Sequence, residues 1–358
     1  MRDPSDWGDL DPALEAFLLA PPEPDIREAI NLWFWDDEGR IGGPRIVLEA
    51  WGQNWEQRYV RLNLAFPDGR VLEAKMAAPA HHPARTDRFG AGPIAFECLE
   101  PWRRWRLTYD GTGRWTTVDA QFALKEPPGP DVRVVLNLDT EMAARPWRRG
   151  EMDHQSEDLI NNQPDGLLVG RGYNFKHLFR CAGRFQAGDE VIDIRGGGLR
   201  VRRRGVREAS QLRGHCWQQA LFASGRAFGM TVFPPRADGG PAYNEAFVHL
   251  DRRILPARVV EAPWMTTWER PRDLSFVLET AEGRIRIEGS DLAGTYTTEI
   301  GDLRNYIGSE IVARPTSRLP FHQGIARYRW DGEEAIGMVE RSYPAAVTAD
   351  AHAPATAS

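Results

Sequence analysis

The sequence predicts an all-β protein made of two antiparallel β-barrel or sandwich domains behind a short N-terminal helix. The chain has 358 residues, more than one typical core accommodates, since domain sizes peak near ~100–150 residues. Its 13 Trp, 34 Gly and 26 Pro favour strands joined by turns over a helical bundle. Alternating apolar and polar residues followed by turn sequences recur along most of the chain.

The first third of the chain supplies the N-terminal helix and one β domain. Residues 1–27 form the helical segment, because Asp11 can cap a helix that begins at Pro12. Residues 28–125 form the first β domain, in which residues 60–66 alternate before a turn at 67–69. A further strand is predicted to end in a turn at Asp110 and Gly111.

The remainder of the chain supplies a linker, a second β domain and a tail. Residues 126–172 contain a cluster of helix and strand breakers, a strand and a long polar loop, which we interpret as a lid or a crossing segment. Residues 173–343 form the second β domain, with hairpin turns at 224–225 and 331–332. Residues 344–358 are predicted to be disordered.

Charge and targeting signals limit the partners and the location. The formal net charge is −6 and the isoelectric point is near 5.8, so we expect neither nucleic acid nor an anionic membrane surface as a partner. The sequence contains neither a run of ~18 apolar residues nor a signal peptide, which predicts no membrane span and a cytoplasmic location. A homodimer stays an open alternative to a monomer.

Motif spacing argues against metals and cofactors. The three cysteines are far apart and form no CxxC, which predicts a reduced protein without a zinc knuckle. No HxH or HExxH spacing occurs, so no metal site is expected. The glycines at 196–198 lack the GxGxxG pattern before a helix, and no GxSxG is present. The sequence therefore predicts no dinucleotide cofactor and no α/β-hydrolase nucleophile.

His215 and Trp217 are the first candidate site residues. Strand alternation through residues 215–220 places both on one face and Cys216 on the other. An imidazole can give and take protons at neutral pH, so His215 is assigned as a general acid/base and Trp217 as a stacking surface for the ligand. The alternative is a hydrogen-bonded core histidine beside a packing tryptophan.

Tyr173, His177 and Arg200 form a second set of candidates. Tyr173 and His177 share one face of a predicted strand and are assigned catalytic roles, polarising or protonating a substrate oxygen. Their alternative role is to line a barrel. Arg200 belongs to an arginine-rich run and is assigned to hold an anionic group of the ligand, the alternative being a solvated strand face.

The third set of candidates lies in loops. Asp153 and His154 stand in the long polar loop and are assigned to close over the ligand as an acid/base pair. The alternative is that they are ordinary exposed loop charges. Tyr243 follows a Gly-Gly-Pro turn and is assigned as a ligand contact at a barrel mouth.

Three stretches carry a family resemblance. Residues 198–207, GLRVRRRGVR, keep the glycines and arginines of a family stretch of the form Gly-x-Arg-Asp-His-Ser-Trp-Gly-x-Arg, with Val-Arg-Arg-Arg at its centre. FWDDEGRIGG at 34–43 and WDGEEAIGMVERS at 330–342 are similar to the family's first and terminal hairpins. In these stretches and their order, residues 28–343 resemble the tandem lipocalin-like family related to carotenoid 1,2-hydratase.

The resemblance implies two lipocalin-like barrels, an apolar ligand such as a terpenoid or polyketide, and chemistry without a redox cofactor. Because the Asp-His centre of the family stretch is replaced, it does not imply carotenoid hydration itself. The function predicted is that of a cofactor-independent lyase, hydratase or isomerase using acid–base chemistry on a hydrophobic aromatic or terpenoid molecule. The alternative is a non-catalytic lipocalin-like carrier or sensor of such a ligand.

Overall fold

The structure is a computed structural model that describes residues 10–122, 127–152, 154–162, 172–206, 214–236, 239–240, 242–250, 253–265, 273–297, 300–301, 315–317 and 321–342. These residues are almost entirely β, which confirms the predicted fold class. The strands of the described part are β1 Arg27–Asp36, β2 Gly42–Trp51, β3 Gln57–Ala65, β4 Arg70–Pro79, β5 Arg88–Ala91, β6 Ile94–Glu100, β7 Arg104–Thr117, β8 Asp131–Met142, β9 Trp147–Arg148, β10 Tyr173–Ala187, β11 Glu190–Gly205, β12 His215–Leu221, β13 Ala227–Val232, β14 Asn244–Leu250, β15 Arg253–Glu261, β16 Phe276–Thr280, β17 Gly283–Thr297, β18 Ile300–Gly301, β19 Pro315–Ser317, β20 Phe321–Trp330 and β21 Glu333–Ser342.

The helices of the described part are short. Two are 3-10 helices, Pro12–Glu15 and Gly52–Asn54, and two are α-helices, α1 Val118–Phe122 and α2 His154–Asn162. The first has the predicted cap, since the Asp11 carboxylate accepts a hydrogen bond from the Ala13 N–H at 2.9 Å. None of the helices within the described ranges is long and apolar enough to cross a bilayer.

The first barrel contains eight antiparallel strands in the order β4-β3-β2-β1-β11-β10-β8-β7. Four residue pairs between β4 and β7, from Arg70↔Thr117 to Glu73↔Arg114, close the ring. Strands β5 and β6 extend the sheet beyond β7, and β9 pairs with β10. Alternate residues of each strand fill the interior with a continuous apolar cluster, and closure removes most unpaired sheet edges.

The second barrel is closed by eight strands in the order β12-β13-β14-β15-β16-β17-β20-β21. The predicted turns at 224–225 and 331–332 join β12 to β13 and β20 to β21. Asp331 and Gly332 have φ of 48° and 81°, the positive values that a two-residue hairpin turn of the favoured twist requires.

The division of the chain between the barrels differs from the predicted ranges. β10 and β11 lie within 173–343, yet they pair with β8 and β1 in the first barrel. The second barrel begins at His215. Alternation shows that a segment is a strand, but the strand's partners decide its barrel, and the conspicuous polar loop interrupts the first barrel instead of ending it.

The predicted turn at Asp110 and Gly111 is wrong. Both residues lie inside β7, which pairs with β8 without interruption from Arg104 to Arg114. Gly111 serves packing, because a Cβ at this position would stand 2.5 Å from the Pro93 side chain. The Asp-Gly signal for a turn is overridden here by partners on the neighbouring strands.

An inter-barrel layer joins the two barrels. It is a cluster of buried apolar side chains contributed by the outer faces of both barrels. The first barrel supplies Trp33, Trp35, Leu178, Leu199 and Val201, and the second supplies Trp217, Leu221, Phe247, Ile325, Ile336 and Met338. Side chains that point out of either barrel at this layer are therefore shielded from water by the other barrel.

Candidate functional site

A polar row crosses the face that the second barrel turns toward the first. One residue on each of six neighbouring strands belongs to it, and each lies directly opposite the next. In order they are Thr295, Gln323, Glu340, Trp217, Thr231 and Glu245. Their chain neighbours Cys216, Val339 and Ala246 point into the second barrel, so alternation turns the row outward. All six members are buried. A row this polar is costly in a dry layer unless its groups are paired or bind a ligand.

His215 lies beside this row and is held by hydrogen bonds at both ring nitrogens. Nδ1 stands 2.8 Å from the Ser342 Oγ, and Nε2 stands 2.7 Å from the Glu340 Oε1. Gln323 Nε2 donates to the other Glu340 oxygen. The Phe321 ring lies 5.4 Å from the imidazole. We call Ser342, His215 and Glu340 the relay, since a continuous chain of hydrogen bonds joins them.

The relay carries a fixed negative charge at one end. Burial alone would raise the pKa of the Glu340 carboxyl, but the hydrogen bond and charge of His215, with contributions from Arg45 and Gln323, lower it to about 2. Glu340 is therefore a carboxylate at neutral pH. His215 and Glu340 are 7% and 6% exposed while Ser342 and Gln323 are 0% exposed, so the whole relay and its glutamine neighbour are buried.

Lys176 faces the polar row from the first barrel. Its Nζ donates to the Thr231 Oγ1 at 3.2 Å and lies 4.8 Å from the Trp217 ring centroid and 5.6 Å from that of Trp147. The residue is 2% exposed. Burial, followed by the charge of Arg149, holds the pKa of this amine well below its ordinary value. No sequence motif marks Lys176 as a site residue, although it is one of only three lysines among 45 basic residues.

Glu245, at the end of the polar row, holds the connection between β8 and β10. Its Oε1 accepts hydrogen bonds from the Gly150 and Met152 N–H groups at 2.8 and 3.2 Å. The Tyr243 hydroxyl donates to its Oε2. The predicted ligand contact Tyr243 is thus fully buried and supports the carboxylate that anchors this connection.

We call residues 147–152 and helix α2 the strap. Besides its bonds to Glu245, the strap contacts the second barrel where Arg258 donates to the Gln155 Oε1 at 2.9 Å and Ser156 donates to the Asn244 carbonyl at 3.3 Å. The strap therefore crosses from the first barrel to the second before β10 returns. Of the predicted loop pair, Asp153 lies outside the described residues, and His154 is the first residue of α2 with its side chain outside the description.

Three other predicted site residues lie inside the first barrel. Arg200 forms a two-pronged ion pair with Glu15, at 3.0 and 2.8 Å. The His177 Nε2–H donates to the Ala144 carbonyl at 2.7 Å, and the Tyr173 ring packs 4.9 Å from that of Phe175. The structure brings Arg200 and His177 to one interior, but on the opposite face of β10 and β11 from Lys176, and it does not bring them to His215.

The environment of these residues makes them poor proton carriers at neutral pH. Burial raises the pKa of Tyr173 to about 12. Burial and then the charge of Arg200 hold the pKa of His177 well below its ordinary value. His177 is thus a neutral, hydrogen-bonded core histidine, and Arg200 already binds a carboxylate of its own chain. In the described ranges, no three His, Cys, Asp or Glu side chains group closely enough to hold a metal ion.

The fold and the buried layer define the class of protein, a tandem lipocalin-like β protein. A putative AttH from Nitrosomonas europaea matches with a TM-score of 0.54 and 13% identity, over 90% of this chain and 96% of that chain. CghA solved with Sch210972 matches with a TM-score of 0.51 and 10% identity, over 94% and 96%. Kievitone hydratase from Nectria haematococca matches with a TM-score of 0.46 and 11% identity, over 95% and 94%.

The particular family is shown by the sequence. The chain belongs to the family described as a domain of unknown function, DUF7064, which matches residues 18–345. The comparison with curated proteins gives no match. The structural likenesses therefore describe the fold, and the chemistry rests on the residues of this chain.

Proposed function

We propose that this protein is a cofactor-independent lyase, hydratase or isomerase that uses acid–base chemistry on a hydrophobic aromatic or terpenoid molecule bound in the inter-barrel layer. The observation that carries the proposal is the relay, a histidine held between a hydroxyl and a carboxylate at a buried boundary. An imidazole in such a setting is the commonest general acid/base of enzymes.

The relay fixes the tautomer of the histidine. The Glu340 carboxylate accepts a hydrogen bond from Nε2–H, which leaves the Nδ1 lone pair facing the Ser342 hydroxyl. Nδ1 can then take a proton from a ligand through the Ser342 hydroxyl, while Glu340 stabilises the imidazolium that results. Return of the proton completes an addition, an elimination or an isomerisation without a redox step.

Unpaired donors near the relay support a ligand that carries oxygen. The indole nitrogens of Trp33 and Trp217 are buried with no hydrogen-bond partner among the described residues, and so is the amide nitrogen of Gln219, whose oxygen is a buried acceptor likewise without a partner there. The two indole rings lie 4.9 Å apart. Buried donors ordinarily find partners, so a hydroxyl or carbonyl group of a ligand suits them. The surrounding apolar side chains would strengthen electrostatic interactions by excluding water.

Turnover of an aromatic enone tests the proposal. With benzalacetone as the probe, we expect the protein to accelerate the loss of enone absorbance as water adds to the double bond. His215→Gln should lower this rate by ~10²-fold or more, because proton transfer by a placed side chain contributes about that much. Quenching of tryptophan emission by benzalacetone should persist in the variant, since Trp33 and Trp217 remain.

His249→Gln is the matched control. His249 lies on the same face of the second barrel, in β14, but outside the relay, so its replacement should leave turnover unchanged. Equal rates for wild type and His215→Gln would contradict the proposal. Saturable binding without any acceleration by the wild type would favour the carrier or sensor instead.

A further inference from the structure

We propose that Lys176 is a carbonyl-binding residue whose amine condenses with an aldehyde or ketone group of a ligand held between the barrels. This inference rests on the proposed inter-barrel site and names the class of ligand that the site accepts. It adds a covalent step that the relay alone does not provide.

The surroundings of Nζ are unusual for a structural lysine. In the described part of the chain, no carboxylate lies within ion-pair distance of Nζ, and its hydrogen bond is to the neutral Thr231 hydroxyl. Fully buried lysines are ordinarily paired with an acidic group. Here two indole rings and a hydroxyl surround the amine. These groups position the amine but supply no negative charge to balance a protonated Nζ.

The charges around Lys176 favour the nucleophilic form. Only the neutral amine can attack a carbonyl, and a lysine becomes neutral when it is desolvated or lies near another cation. Both conditions hold here, because burial and then the charge of Arg149 lower its pKa; Glu245 opposes them, and Arg203 and Glu340 have smaller effects of opposite sign.

The choice of lysine at this position also points to its amine chemistry. Arginine carries nearly all the positive charge of this chain and stacks on indole rings at least as well as lysine. If the position required only a cation that packs against Trp147 and Trp217, arginine would therefore serve equally well. An arginine cannot form an imine at neutral pH, since its guanidinium stays protonated.

The relay is placed to assist the condensation. Trp217 is directly opposite Glu340 on one side and Thr231 on the other, so the indole that Nζ contacts belongs to the cross-strand neighbour of Glu340. The Nζ lone pair forms the C–N bond as the carbonyl π bond opens to a hydroxyl. The carbinolamine hydroxyl, which carries one of the two amine protons, then leaves as water with a proton from His215, and His215 recovers the last amine proton as the C=N bond forms. No oxidant or reductant is consumed.

Reductive trapping tests this inference. The full-length protein is incubated with anisaldehyde and cyanoborohydride at neutral pH. Cyanoborohydride delivers a hydride to the imine carbon and leaves a stable secondary amine. Peptide mass spectrometry then reports the occupancy of Lys75, Lys125 and Lys176. We expect Lys176 to be modified about 10-fold more than Lys75, since condensation inside a binding site is favoured over chance encounter.

Lys75 is the internal control. Burial lowers its pKa to about 8, so it too has a reactive amine, but it lies on β4 away from the polar row. Lys75→Arg should leave trapping at Lys176 unchanged. Lys176→Arg should remove trapping at that position, and Lys176→Met serves as a second variant if the arginine does not fit. Modification of Lys176 no greater than that of Lys75 would overturn the inference.

The turnover experiment and the trapping experiment test different claims, so either can give a negative result without the other. Benzalacetone turnover without anisaldehyde attachment at Lys176 would overturn this inference and leave the proposed function intact. Attachment at Lys176 without benzalacetone turnover would support a carbonyl-binding site and contradict the proposed catalysis. His215→Gln should retain attachment, at a lower rate, because the amine remains in place.

Discussion

At the residue scale, the candidate site is held together by contacts between strands that are far apart in the chain. Strand alternation correctly predicts that His215 and Trp217 share a face. Alternation does not predict that His215 forms hydrogen bonds to Glu340, which lies 125 residues away along the chain, or to Ser342. Those partners depend on how the second barrel closes, and closure joins its first strand to its last.

The stretch that resembles the family lies in the first barrel, whereas His215 lies in the second. Residues 198–205 of that stretch lie in β11 of the first barrel. His215 and Trp217 keep the spacing of the histidine and tryptophan in Asp-His-Ser-Trp.

Replacement of Glu340 should change the dependence of stability on pH. Its pKa falls from an ordinary 4.5 to about 2 in the folded protein, so its carboxylate stabilises the fold above pH 4.5 and loses that effect as the pH falls toward 2. The contribution at neutral pH is on the order of 3 kcal/mol, since one pKa unit corresponds to about 1.4 kcal/mol. We therefore expect the free energy of unfolding of Glu340→Gln to lie below that of wild type at neutral pH.

Urea unfolding at a series of pH values measures this effect. The difference between wild type and Glu340→Gln should shrink as the pH is lowered below 4.5. Glu334, exposed on the same strand, provides the control, and Glu334→Gln should track wild type within a few tenths of a kcal/mol. If the free energy of unfolding of wild type exceeded that of Glu340→Gln by the same amount at every pH below 4.5, this would contradict a charged Glu340.

At the element scale, the N-terminal segment packs into the core of the first barrel. A helix was predicted from Asp11 and Pro12, and the structure has a single 3-10 turn there. Beyond it Phe17 enters the barrel and stacks on Phe89 with ring centroids 4.7 Å apart, while Glu15 binds Arg200. The sequence contains an arginine-rich run and, far from it, an acidic N-terminal segment. Only the fold shows that an arginine of the run and a glutamate of the segment form an ion pair.

Glu15→Gln should destabilise the protein strongly. The variant leaves the Arg200 guanidinium buried without its carboxylate, and breaking such a pair costs about 3–5 kcal/mol. Thermal or urea unfolding measures the loss. Glu23→Gln, an exposed position in the same segment, should have almost no effect. The double variant Glu15→Leu with Arg200→Met should recover much of the stability, because both charges are removed together. Wild-type stability in Glu15→Gln would show that the pair does not hold the segment.

At the scale of the whole molecule, the sequence predicted two barrels correctly and divided the chain between them incorrectly. Periodicity and turns are local, so they reveal strands and their number. Membership of a barrel is set by pairing, which joins β1 to β11 across nearly half of the chain. The inter-barrel layer follows from neither signal, because its side chains look like ordinary core residues until two barrels are packed together.

The Trp33 and Trp217 contact should couple the two barrels. Trp33→Ala removes a large buried side chain from the inter-barrel layer, at a cost of about 3–5 kcal/mol. Hydrogen exchange followed by mass spectrometry should then show faster exchange both in β10 of the first barrel and in β12 of the second. Trp105→Ala is the control. Trp105 is equally buried but lies inside the first barrel, so its exchange effect should concentrate there. Changes confined to the first barrel in Trp33→Ala would contradict the coupling.

The strap has a consequence for how such proteins diversify. The chain leaves the first barrel after β8, binds Glu245 on the second barrel and returns as β10. Recombination between relatives at residues 206–213 would transfer the second barrel as a continuous gene segment. In the recombinant, however, the two sides of each contact would come from different parents. This applies to the hydrogen bonds of Glu245 to the Gly150 and Met152 amides and to that of Lys176 to the Thr231 hydroxyl. The two halves are thus expected to be inherited together, and new ligand preferences to arise by matched changes on both sides of the layer.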